Sequence, residues 1–210
     1  YYMTNSELIS LTGFYKRIEN PIGRVDKGNS AGLLTYDNIS DYADVMGAEL
    51  EIRKNIFDRR NLELNRSNKL SFGLNASILY TDLVLKLENT PERSSGLEGA
   101  SPMIINTDLT YQLSNQNHTW MSSLVFNYFS DRIHTNGTLG FEDIIEEGIP
   151  TLDFVTSFSF NKNLSLSFKA SNLLDSKFNL TRESSLNQEE IILNEYKKGI
   201  NLSLGLSLQL

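Results

Sequence analysis

Apolar and polar residues alternate strictly along much of the chain. The last segment is the plainest: Ile200, Leu202, Leu204, Leu206, Leu208 and Leu210 alternate with Asn201, Ser203, Gly205, Ser207 and Gln209. Successive side chains of a β-strand point to opposite faces, so this spacing predicts a strand with one aliphatic face and one small, polar face. The same pattern sets Leu164, Leu166, Phe168 and Ala170 against Ser165, Ser167, Lys169 and Ser171. It sets Leu152, Phe154, Phe158 and Phe160 against Asp153, Ser157 and Ser159. Further back, Trp120, Leu124, Phe126 and Tyr128 alternate with Ser123, Asn127 and Asp131, and Ile105, Leu109, Tyr111 and Leu113 with Asn106, Asp108, Thr110 and Gln112. Three less regular strands are predicted at about 7–18, 42–55 and 68–85. The prediction is all-β: about eight antiparallel strands.

The links between them alternate in length. Long, polar links fall at 19–41, 86–101, 132–150 and 173–195, whereas 114–117 and 161–163 are very short and 56–67 is intermediate. Residues such as Leu186 to Ile191 offer a helical turn, but no long link sustains a 3.6-residue period, so all four are expected to be loops. A transmembrane barrel has short periplasmic turns and longer extracellular loops, an asymmetry with no obvious cause in a soluble sandwich. It places the long links outside the cell and the final strand running inward to a periplasmic C-terminus at Leu210. The uncovered leucine face of that strand also disfavours a soluble sandwich.

Composition agrees with a barrel and excludes other classes. No stretch approaches the roughly 20 apolar residues of a spanning helix, although 40% of the 210 residues are apolar; a barrel escapes that test because only alternate residues face lipid. The net charge of −7 argues against a nucleic-acid surface, where basic residues would supply most of the affinity. Without cysteine there is no disulfide framework and no thiolate metal site. The opening Tyr1 to Asn5 lacks the basic and apolar regions of a signal peptide. The chain is therefore expected either to lack its true start or not to be exported.

Candidate chemistry is sparse. His118 falls at a short turn and His134 in a long link, at opposite ends of the strands, so no shared metal site is expected. No Ser-His-Asp set is supported, and neither catalytic residues nor cofactors are assigned. The acidic run Glu142-Asp143-Ile144-Ile145-Glu146-Glu147 offers carboxylates to a cation or a basic ligand group. Without calcium-loop spacing, an ordinary charged loop is the favoured reading. Asn-x-Ser/Thr triplets at Asn38, Asn75, Asn136 and Asn201 read as part of an Asn- and Ser-rich polar face rather than as glycosylation sites. Trp120, Tyr111 and Phe160 lie beside short turns, where an aromatic belt would meet lipid headgroups. Ligand recognition is expected in the long links, where Tyr36, Arg132, His134, Phe141 and Arg182 supply aromatic and cationic groups for an anionic or sugar-like ligand.

The run Gly99-Ala100-Ser101-Pro102-Met103-Ile104-Ile105-Asn106, followed by a strand, a short turn and Trp120 to Asp131, resembles the late barrel strands of TonB-dependent receptors of the Bacteroidota type. Ile149-Pro150 before Leu152-Asp153, Lys162 to Leu166, Ala170 to Asp175, Tyr196 to Gly199 and Ala48 to Lys54 are similar to family segments in the same order. One departure is the final residue, Leu210, where the family typically ends on an aromatic. The resemblance implies the C-terminal portion of a 22-strand barrel in a Gram-negative outer membrane, over residues 1–210, with plug domain and signal peptide outside the chain. It also implies partners: the remaining barrel strands, the plug, the TonB system acting through an N-terminal part, the lipid bilayer and a surface lipoprotein. Glu49, Glu51, Arg53, Asp108, Asp153 and Lys169, on polar strand faces, are expected to pair with one another or with the plug. The implied function is import of a scarce nutrient such as a siderophore, metal complex or oligosaccharide. The alternative is a self-contained eight-strand barrel acting as adhesin or enzyme.

Overall fold

A computed structural model describes residues 2–4, 7–26, 34–61, 63, 65–88, 90–138, 140–161, 163–184 and 187–209. The sequence expectations for Leu210, for Lys162 in its turn, for Leu186 and for 27–33 of the first long link lie outside the described residues. The chain opens with β1 (Tyr2–Thr4) and β2 (Glu7–Glu19), leaves the main sheet through β3 (Ile22–Asp26) and β4 (Leu34–Asn38), and returns as β5 (Tyr42–Asn61) and β6 (Arg66–Leu85). After β7 (Arg93–Ser95) come β8 (Met103–Ser114) and β9 (Thr119–Phe129), then an excursion through β10 (Arg132–Gly137) and β11 (Ile144–Glu146). The hairpin β12 (Ile149–Ser159) and β13 (Leu164–Ser171) is followed by β14 (Lys177–Glu183), β15 (Glu190–Lys197) and finally β16 (Asn201–Leu208).

The main sheet is a wall in the order β1-β2-β5-β6-β8-β9-β12-β13-β16, with β7 against the far end of β6. Every pairing within it is antiparallel. Its register carries one apolar face from strand to strand. Leu204 sits opposite Phe168, Phe154 opposite Leu124, Leu124 opposite Leu109, Leu109 opposite Phe72, and Leu74 opposite Ile52. This face lies open: Leu204 is 78% and Leu11 76% exposed. On the other face Glu51 opposes Asn75, Asn75 opposes Asn106, and Asp153 opposes Val125. From Leu70 to Tyr80 the apolar face of β6 runs about 33 Å at ~3.3 Å per residue, or about 25 Å across a membrane at the usual strand tilt.

Aromatic groups border that band at both ends. At the short-turn end Tyr111 and Trp120 meet edge to face at 5.8 Å, as do Phe158 and Phe160 at 4.7 Å. The Trp120 ring N–H donates to Thr156 Oγ1 at 3.0 Å, and Thr156 also bonds the Ser122 hydroxyl at 2.7 Å. These polar groups on the apolar face thus satisfy one another, which hydrocarbon surroundings require. At the other end the Tyr15 hydroxyl donates to Asp44 Oδ1 at 2.6 Å, and the Arg17 guanidinium, bonded to the same carboxylate, lies 4.3 Å over the Tyr42 ring.

Local chemistry explains the turns. Asn115 Oδ1 accepts the backbone N–H groups of Asn117 and His118, and Asn161 Oδ1 those of Asn163 and Leu164, so each side chain closes its own turn. Asn65 takes the left-handed conformation in the first turn. The link expected to be intermediate is therefore short, because β5 and β6 run on to Asn61 and Arg66. A bulge at Ile56 breaks the alternation there and hides the strand from a period-two reading. Among the described residues no ladder joins β16 to β2, so the wall is an open sheet.

Three of the four long links are not the loops expected from sequence, whereas 86–101 holds only the three-residue β7. Those three supply β3, β4, β10, β11, β14 and β15, which form a second sheet in the order β15-β14-β11-β10-β3-β4. Its strands are antiparallel neighbours except β10 and β3, which run parallel with Asn136 opposite Val25. Glu190 and Ile191, part of the possible helical turn, belong to β15. The buried core lies here, between the second sheet and the end of the wall: Val25, Ile39, Ala43, Leu83, Leu85 and Leu87, with Leu97 packed against them. Gly23 is required by this close approach, since a Cβ there would meet Ile39 Cδ1 and Asn136 Nδ2 at 2.9 Å. Asn136 is fully buried, so its triplet does not belong to an exposed polar face.

Candidate functional site

One face of the second sheet gathers the polar and aromatic groups of the long links. Val25, Ile133 and Ile145 point towards the wall, where Val25 joins the buried core and the two isoleucines border a recess with Leu79, Thr81 and Leu97. The register assigns the neighbouring residues to the opposite face. There Tyr36 opposes Arg24, Arg132 opposes Glu146, Glu146 opposes Leu180, Leu180 opposes Asn194, and Phe178 opposes Tyr196. Two bulges adjust this face. His134 is the extra residue between Ile133 and Thr135, and Leu193 the extra residue opposite Leu180 and Thr181. A bulge turns two consecutive side chains to nearly the same side, which lets His134 and Thr135 share the outward face.

Tyr36, Arg132, His134 and Arg182, expected from sequence to recognise a ligand, therefore stand on one surface. Phe141, from the β10–β11 connection, has its ring 5.3 Å from the Arg182 guanidinium. Their surroundings differ. Arg132 pairs with Glu146 at 2.8 Å and lies 4.6 Å over Phe129. Arg182 is well enclosed and pairs with Asp26 Oδ2 at 2.6 Å. Tyr36 is 70% exposed near the far edge.

His134 sits inside a charged lattice. Its Nε2 is 2.9 Å from Arg24 Nη1, and its Nδ1 2.9 Å from Thr135 Oγ1. A guanidinium only donates, so Nε2 must accept and the proton of the neutral ring belongs on Nδ1, facing Thr135. Arg24 also bonds Glu98 through its backbone N–H and, at 3.0 Å, through Nε. Burial, aided by Arg24, holds the His134 imidazole below its ordinary range, against the opposing pull of Glu146 and Glu98. Beside it a recess of about 210 Å³ is lined by His134, Glu146, Phe178, Asn179, Leu180, Asn194 and Tyr196. Phe178 and Tyr196 stack at 5.0 Å with nearly parallel rings, and Lys198 Nζ lies 4.0 Å from the centre of Phe178. Asn179 donates to Glu147 at 2.7 Å while its own Oδ1 is buried without a partner.

The acidic run is divided among separate partners. Asp143 pairs with Arg93 and accepts the Gly137 N–H at 2.8 Å, Glu146 holds Arg132, and Glu147 holds Asn179. No group of three or more His, Asp or Glu residues suited to a metal ion occurs among the described residues. His118 is stacked on Phe158 at the short-turn end, in a different part of the molecule from His134. On the polar wall face Arg53 pairs with Glu51 at 2.7 Å and Lys169 with Asp153 at 3.7 Å. A recess of about 390 Å³ there includes Lys69, Asn75, Asn106 and Asp108. Gly73 makes room for Asp108, whose Oδ1 would collide with an added Cβ.

Sequence reasoning missed Arg24, Asp26, Glu98, Phe178, Asn194 and Tyr196. The strand register brings Arg24 to His134 across 110 positions, and no local pattern announces such a contact. The alternation of Phe178, Leu180 and Arg182 was the one usable signal.

Residues 1–173 match the family model described as TonB dependent receptor-like, beta-barrel. No curated protein and no solved structure matches the chain.

Proposed function

Because the chain belongs to the TonB dependent receptor-like β-barrel family, a family of outer-membrane transport receptors, we propose that it forms part of the wall of an importer whose long links face the cell exterior. The final strand then runs to the periplasm, and further strands and a plug domain complete the molecule. The open edge of β16 supports this reading over a self-contained eight-strand barrel, which would need β16 to pair with β2. The split between short turns and long links supports the orientation.

The observation that carries a recognition role is the gathering of groups from three long links on the outward face of the second sheet. Arg24, Arg132 and Arg182 each already hold a carboxylate there. An anionic siderophore or metal complex would have to break those pairs, whereas a neutral, hydroxyl-rich ligand needs only the Tyr196 ring and the amide groups. Tyr196 is 46% exposed beside Asn194. Among siderophore, metal complex and oligosaccharide, the oligosaccharide therefore fits best. Cells carrying the intact receptor or its Tyr196→Ala variant can be compared for uptake of radiolabelled neutral oligosaccharides and ferric siderophores. Uptake of the former, lowered about tenfold by the substitution (about 1.4 kcal/mol) at unchanged surface level, is expected. Uptake of siderophores alone would overturn the ligand class, and equal uptake by both receptors would overturn the site.

A further inference from the structure

The second sheet has two edges of different character. At one end β4 is short and carries Asp37, whose carboxylate is held by the Asn38 N–H. At the other end all eight residues of β15 are exposed. Ile191, Ile192, Leu193 and Tyr196 are among them; the inward charges Glu195, paired with Lys177 at 3.0 Å, and then Lys197 lie in the second half of the strand, beyond the bulge at Leu193. Its first half, with Ile191 and Ile192 on opposite faces and no paired charge, is a template for another strand. Natural sheets cover such edges or interrupt them. Pairing with β14 satisfies only one side of the β15 backbone.

The position of β15 indicates what covers it. Only Lys198, Gly199 and Ile200 separate it from β16, the open edge of the wall. Both sheets thus end on the same side of the molecule. Any strand pairing antiparallel with β16 runs towards the end of the wall that carries the long links, and its own link emerges beside β15. We infer that the second sheet continues past β15 through that link, an extended segment of the same barrel with apolar residues opposite Ile191 and Ile192. This inference rests on the reading that further strands complete the wall. The recognition surface then grows into a sheet shared by links on both sides of the β16 seam, while the outward ring of Tyr196 stays free, because strand addition occupies the edge and not the face.

Amide hydrogen exchange of the purified, monomeric intact receptor, read residue by residue, tests this without a partner protein present. An edge strand protects alternate amides, those directed at its one neighbour, and a paired strand protects consecutive ones. Consecutive protection is expected in both β15 and β16, with exchange at least about 100-fold slower than in an unstructured chain. Consecutive protection in β16 with only alternate protection in β15 would overturn the inference while leaving a completed wall. Alternate protection in both strands would overturn the completed wall as well.

Discussion

The wall and the second sheet are built from the same alternating strands, yet they bury opposite things. The wall keeps its leucines and phenylalanines on an open face and holds almost no core of its own. The second sheet, whose strands have at most eight residues, closes over Ile39, Val25, Leu83 and Leu85, each at most 2% exposed. A strand face that looks mis-made in water is the expected one in lipid, where the backbone ladder supplies the constraint and the solvent itself is apolar. The links project beyond the hydrocarbon and must stabilise themselves as a water-soluble domain does, by burial and by enclosed ion pairs. Substitutions should therefore separate the two regions cleanly.

The largest effect is expected from the enclosed pair of the second sheet. Arg182→Met in the intact receptor leaves the Asp26 carboxylate without its guanidinium, a loss typically of about 3–5 kcal/mol for a buried pair. Limited proteolysis should then cut within 132–150 and 173–195 while the heat-modifiable barrel persists. Cleavage unchanged from wild type would show that the pair does not hold the sheet. Ile39→Ala empties a fully buried site and should cost about 2–5 kcal/mol, opening the first link by the same assay.

In the wall the contrast reverses. Leu204→Arg places a charge on the apolar face, at about 2–4 kcal/mol near the membrane midplane, while Ser203→Arg, on the polar face beside Lys169, should cost much less. Folding titrations into lipid vesicles measure both, and equal losses would mean that the faces are misassigned. Neither substitution should alter proteolysis of the long links.

The difference between the regions also explains what the sequence made legible. Apart from the three-residue β1 and β7, the wall strands are long, and lipid imposes period two on them, so segments such as Leu70 to Tyr80 could be placed almost to the residue. The second sheet carries no such signature. Its strands have three to eight residues, two contain bulges at His134 and Leu193, and the parallel contact of Asn136 with Val25 joins separate links. For the candidate site, residue type alone selected Tyr36, Arg132, His134, Phe141 and Arg182. Their common surface and their partners Arg24, Asp26 and Glu98 depend on tertiary register.

The smallest expected effect is a pH dependence confined to the second sheet. His134 titrates below the unfolded value of about 6.5, so lowering the pH through that value protonates the unfolded segment first and weakens the folded one. Arg24 and Arg132 oppose the charged ring, and Glu98 and Glu146 favour it. Amide exchange in β10 and β11 should accelerate from pH 7.5 to 5.5 after correction for intrinsic rates. His134→Gln should remove the change, and exchange in β12 and β13 should not follow it.

The absence of cysteine from these 210 residues permits a direct test of the wall itself, with any cysteine elsewhere in the receptor first replaced by serine. Single cysteines placed in turn from Leu70 to Tyr80 of β6 in the intact receptor, spin-labelled in lipid vesicles, report collision with oxygen, which concentrates in hydrocarbon, and with a water-soluble nickel complex. Oxygen accessibility is expected to peak at Leu70, Phe72, Leu74, Ala76 and Ile78 and to fall at Ser71, Gly73, Asn75 and Ser77, with labels at Tyr36 and Tyr196 of the second sheet open to nickel. A flat profile along β6, or nickel access at Leu74, would contradict a wall whose apolar face meets lipid.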